Sequence, residues 1–149
     1  MTRYLPIYLN DQLFQQTVAV ELCRRALRAN REGELGGFLG ELATELEADR
    51  RELLRRLERA GARPSRGRVV GARLAERLGR LKLNGQLTGY SPLSRLVELD
   101  GLATLLEAKR AFWLALGEDE ELRALAERAR DQRARLEPHR LAAARTALD

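Results

Sequence analysis

Along the chain, apolar residues recur at helical spacing and nowhere alternate with polar ones over the length of a strand, so the pattern predicts an all-α fold. Leu9-Asn10-Asp11 offers a polar cap, and no Pro or Gly follows until the glycines after Asn30, which predicts a first helix from there to about Arg31. Gly33, Gly36 and Gly37 then turn the chain. A second helix is predicted from about Leu35 to Ala60, where Phe38, Leu42, Leu46, Leu53 and Leu57 form one stripe, and Gly61 and Pro64 end it. Gly61 to Tyr90 carries turn residues at both ends around an amphipathic stretch with Val70, Leu74, Leu78 and Leu81, read as a shorter helix over about Arg68–Leu83. Ser91 as cap and Pro92 in the first turn predict a third long helix to about Leu116. Gly117 and the acidic run Glu118-Asp119-Glu120-Glu121 predict a fourth from near Glu118. Pro138 should break or kink it near Leu136, leaving His139 to Leu148 as a separate or tilted piece.

The three connections read short, long, short. Short links force antiparallel neighbours, whereas a link of about 30 residues can travel a bundle's length and return. A single domain over residues 1–149 follows: a four-helix bundle with one long helical crossover in the segment 61–90. The layout, together with the stretch Arg80-Leu81-Lys82-Leu83-Asn84-Gly85 and Gly89-Tyr90-Ser91-Pro92-Leu93-Ser94-Arg95-Leu96-Val97-Glu98-Leu99, resembles an uncharacterised bacterial ferritin-like family. The resemblance implies a ferritin-like four-helix bundle and brings no catalytic motif with it.

Iron-handling bundles of that kind place a Glu on each of two helices and a Glu-x-x-His on each of the other two. None of Glu41, Glu45, Glu47, Glu107, Glu127 or Glu137 is followed by histidine at the third position, and His139 is the only histidine. No intact dimetal site is therefore expected, and no cofactor. Polar residues do interrupt the apolar stripes: Glu21 and Arg24 on the first helix, Glu45 and Asp49 on the second, Glu107 or Arg110 on the third, Gln132 on the fourth. They can form a ligand or metal pocket at mid-bundle, or a set of ion pairs in which Asp49 or Glu21 meets Arg24 or Arg110. The ion-pair reading is favoured, because buried charges persist only when paired and hydrogen-bonded.

Composition changes this picture little. The lone Cys23 has no cysteine partner in the chain and suits apolar packing, and no signal peptide or apolar run of about 20 residues appears, which fits a cytoplasmic location. Of 27 basic residues only Lys82 and Lys109 are lysine, a bias of the kind a GC-rich bacterial genome produces. Charge is uneven. Residues 61–90 hold seven basic residues against Glu76, +6 within a chain whose total is +5, so the remainder carries −1. Arg73, Arg77 and Arg80 share one face of the crossover, a candidate basic surface for nucleic acid, anionic lipid or an acidic partner; the alternative is a solvated face paired with acidic residues of the bundle. No nucleophile and base can be named, so the expectation is a non-enzymatic scaffold acting by protein interaction or self-association. A divergent metal or cofactor binder and a basic-surface binding module are the alternatives.

Overall fold

The computed structural model describes residues 3–65 and 89–149. Within them lie four long helices: α1 (Leu5–Ala29), α2 (Gly33–Arg59), α3 (Pro92–Leu116) and α4 (Glu120–Leu148). The predicted crossover helix, its arginines Arg73, Arg77 and Arg80, and the stretch Asn84 to Thr88 lie outside the described residues.

Local chemistry sets the starts of α3 and α4. At α3, the Ser91 hydroxyl accepts from Ser94 N (3.1 Å) while the Ser94 hydroxyl accepts from Ser91 N (3.3 Å), so two free backbone donors are satisfied reciprocally. Asp119 caps α4 by accepting from Leu122 N (2.9 Å), which moves the start two residues beyond the expected Glu118. In the first turn of α2, a Cβ on Gly36 would fall 2.3 Å from the Arg31 carbonyl oxygen in the preceding turn, so only glycine permits the close approach.

Two expectations are corrected. α1 begins at Leu5, not after Asn10, because Pro6 in the first turn loses no hydrogen bond there. Asn10 is instead a mid-helix residue that ties down the chain leaving α2. Its Nδ2 donates to the Pro6 and Arg63 carbonyls (3.1 and 3.2 Å), and its Oδ1 accepts from Ser65 N (2.8 Å). α4 runs through Pro138 as one helix, so the break and the separate final piece are not formed. Burial and ion pairs on both sides of the proline oppose a break: Leu136 and Ala143 are buried, Arg133 and Arg140 both bind Glu137, and Arg140 reaches Asp100 on α3 at 3.0 Å.

α1 packs on α2 and α3, and α4 packs on α3 and α2, which leaves α2 and α3 diagonally opposed. Every neighbouring pair is antiparallel. Cys23 donates to the Leu39 carbonyl between α1 and α2; Leu22 meets Gly101, and Tyr8 meets Phe112, between α1 and α3. Asp100 with Arg140 and Lys109 with Gln132 set α3 against α4, and Glu45 with Arg135 and Arg56 with Glu121 set α2 against α4. The diagonal pair α2 and α3 is therefore parallel. The chain leaves α2 at the end where Asn10 holds Arg63 and Ser65, and enters α3 at the opposite end, where Asn30 holds Tyr90 and Arg95. The two ends are a helix length apart, about 38 Å for 25 residues.

The interior is divided. One apolar cluster joins Ala19, Cys23, Leu39, Leu42, Leu46, Leu99, Leu102, Leu106 and Leu136. A second joins Leu9, Leu13, Leu53, Leu57, Phe112, Trp113, Leu122 and Ala126. Between them runs a band of buried polar side chains.

Candidate functional site: a polar layer across the bundle

All four helices supply the band. α2 brings Asp49, α3 Lys109 and α4 Gln132, with 2%, 3% and 0% exposure, and α1 brings the buried Gln12 and Gln16. The α1–α3 register, fixed by Leu22 against Gly101 and Tyr8 against Phe112, sets Gln12 about level with Lys109 and Gln16 one turn along.

The Lys109 ammonium is the hub. Nζ donates to Asp49 Oδ2 at 2.6 Å and to Gln132 Oε1 at 2.5 Å. Gln132 Nε2 donates in turn to Glu45 Oε2 (3.0 Å) and Asp49 Oδ2 (3.2 Å). At the rim, Arg128 Nε lies 3.3 Å from Asp49 Oδ1 and Arg135 holds Glu45 at 2.7 Å. Burial pushes the Lys109 ammonium below the ordinary lysine range, and the Asp49 carboxylate opposes that push. Burial would raise the Glu45 carboxyl, but the hydrogen bonds from Arg135 and Gln132 and the charge of Arg128 hold it below the usual carboxylate value. Gln12 Oε1 and both amide atoms of Gln16 are buried without a hydrogen-bond partner among the described residues.

The sequence-derived candidates divide accordingly. Asp49, Gln132 and Glu45 come together. Arg110 is half-buried and bonds to neither Asp49 nor Glu21, and Glu107 stands mostly in solvent, 3.7 Å from Arg133. Glu21 and Arg24 pair with each other at 3.1 Å on the outer face of α1, and Arg24 also reaches Glu47. The cation on Asp49 is Lys109, with Arg128 at the rim, and not Arg24 or Arg110. Lys109, Gln12, Gln16 and Arg128 escaped the sequence reading. The signal for Lys109 was present: it extends the stripe Leu102, Leu106 toward Phe112 and Trp113 at steps of three and four.

A second buried network closes the opposite end. Asn30 Nδ2 donates to the Ala26 carbonyl (2.9 Å) and the Tyr90 hydroxyl (2.8 Å), and its Oδ1 accepts from Arg95 Nε (2.7 Å). The Tyr90 hydroxyl accepts from Asn30 with the Glu98 carboxyl nearby, and Arg25 Nε stands 3.2 Å from Glu98 Oε2. Burial pushes the Tyr90 hydroxyl up to about 12 and raises the Glu98 carboxyl, against the pull of Tyr90 and Arg25.

This network has a pH signature. A carboxyl whose folded pKa lies above its unfolded value of 4.5 lends stability below that pH and loses it as pH rises through the folded value. In thermal unfolding from pH 3.5 to 7, wild type should therefore lose stability relative to Glu98→Gln as pH rises above about 4.5. A difference that moves the other way would mean that Arg25 holds the carboxylate ionised.

Next to this end an open cleft of about 550 Å³ is lined by Arg28, Asn30, Arg31 and Arg95 but also by Glu32 and Glu34, so its walls carry no single sign of charge. Burial pushes the Cys23 thiol up to about 12, an inert packing residue, and His139 stacks on Phe38 with ring centroids 4.9 Å apart.

Dimetal bundles place a Glu on each of two helices and a Glu-x-x-His on each of the other two. At the four inward positions of the layer stand an amide (Gln12), a carboxylate three residues before Glu52 (Asp49), an ammonium (Lys109) and an amide three residues before an arginine (Gln132 and Arg135). With Glu45 held by Arg135 at the rim, Asp49 is the one inward carboxylate of the layer; without an imidazole it cannot neutralise two divalent ions, and an ammonium repels them, so these residues do not fit a dimetal centre. Comparison with protein-family models, with curated proteins and with solved structures finds no match to this chain. No helix among the described residues is long and apolar enough to cross a membrane.

Proposed function

We propose that the chain is a ferritin-like bundle without a dimetal site, a non-catalytic scaffold that acts by protein interaction or self-association. The observation that carries this reading is the Lys109 ammonium at the centre of the polar layer, bonded to Asp49 and Gln132 where metal-binding bundles gather carboxylates. The up-down-down-up course of α1, α2, α3 and α4 supports the ferritin-like part, since a link from α2 to α3 must then cross the bundle's length. A surface for association is available at one end: Tyr4, Ile7 and Tyr8 on α1 and Leu114 on α3 are exposed apolar residues, with Ile7 and Leu114 at the same level of adjacent helices.

Native mass spectrometry after incubation with iron(II), manganese(II) or zinc(II) tests both parts. The expected spectrum contains only metal-free masses, with more than one copy number that collapses to monomer in Ile7→Glu/Leu114→Glu. Stoichiometric metal would overturn the scaffold reading, and a wild-type protein that stays monomeric at all concentrations would overturn self-association.

A further inference from the structure

We infer that the polar layer is a cation site whose occupant is tethered: the Lys109 ammonium fills the place of a free cation, and the Asp49 carboxylate and the Gln132 amide oxygen hold it. This rests on the scaffold reading for its choice of layer, but not on whether the wild-type protein takes up metal.

Three observations converge. Nζ contacts the only fully buried carboxylate of the layer and an amide oxygen, both at short range, as a cation in an oxygen cage does. The ligands come from two helices other than Lys109's own, α2 and α4, and the buried, unpartnered Gln12 Oε1 stands at about the same level on α1. Each carboxylate is met by a cation: Asp49 by the ammonium inside and by Arg128 at the rim, and Glu45 by Arg135. A neutral amine at Nζ would leave the Asp49 carboxylate in a nearly water-free interior with only the half-exposed Arg128 beside it, a costly arrangement. The chain uses lysine at this point although almost every other basic residue is arginine, and the compact ammonium fits a cage that a planar guanidinium would not.

If the cage is a cation site, cutting the tether leaves it able to take a free cation of the same shape. Lys109→Ala removes three methylenes and the ammonium, the outline of n-propylammonium. That ion should raise the melting temperature of Lys109→Ala by roughly 3–6 °C at a tenfold excess over its Kd, while propan-1-ol should not, and Lys109→Ala/Asp49→Asn should respond to neither. No difference between the amine and the alcohol would overturn the inference. Should Lys109→Ala fail to fold, the wild-type protein still decides. With two lysines in the chain, Lys82→Arg identifies the Lys109 Nζ resonance in nitrogen-15 spectra. A slowly exchanging three-proton ammonium at pH 7 that is lost in Asp49→Asn supports the tethered cation, and a neutral amine at pH 7 overturns it.

Discussion

Lys109→Met is expected to destabilise the protein by about 3–5 kcal/mol, whereas Lys109→Met/Asp49→Leu should be close to wild type or more stable. The single change removes the cation and strands a carboxylate that is 2% exposed. The double change removes both desolvation penalties and joins the two apolar clusters that the layer now separates. Gln132 keeps a partner in Glu45 through Nε2, so one carbonyl oxygen is newly orphaned inside the bundle, while Arg128, 40% exposed at the rim, exchanges Asp49 for water. Urea denaturation of wild type, both single variants and the double would read the coupling directly. A double variant as unstable as the worse single would mean that the layer stabilises the fold by more than its own charge balance.

Asn30→Ala carries the second large effect, about 2–4 kcal/mol. One side chain here closes α1 on the Ala26 carbonyl, bonds the Tyr90 hydroxyl and fixes Arg95, all in a site 9% exposed, so its loss strands three partners at once. Tyr90→Phe should cost less, because Arg95 and Ala26 keep their bonds. If Asn30 and Tyr90 act through their shared bond, the double variant will be less unstable than the sum of the singles, and calorimetry of the four proteins measures the difference. Strict additivity would mean that the two residues serve α1 and α3 separately.

Legibility in the sequence followed the range of the interaction. The start of α3 was readable because Ser91, Pro92 and Ser94 settle it among themselves. The start of α1 depended on the same kind of signal in Pro6, but Asn10 looked like a cap; its real partners, Arg63 and Ser65, lie more than fifty residues away. Continuity through Pro138 depends on Asp100 and on buried Leu136, which no local rule contains. At the site, Asp49 and Gln132 showed as breaks in apolar stripes. Lys109 continues the stripe Leu102, Leu106, Trp113 at steps of three and four, but Glu107 and Arg110 on either side are charged too, so charge alone does not single it out as the inward one. Glu21 and Arg24 fell between two stripes of α1, and the packing of α2 and α3 chose the line through Gln12, Gln16, Ala19 and Cys23 as the inner one.

The division of contacts among the helices bears on how the bundle assembles. α1 with α2 and α3 with α4 are hairpins closed by short turns, so each can zip from local contacts on a fast timescale. The bonds Lys109–Asp49, Gln132–Glu45 and Arg135–Glu45 all run from one hairpin to the other. Docking of the two hairpins is then expected to be the late event, with the layer as its latch. Substitutions that weaken the layer should mainly speed unfolding and leave refolding nearly unchanged, while substitutions inside a hairpin, such as Leu102 against Leu136, should slow refolding as well.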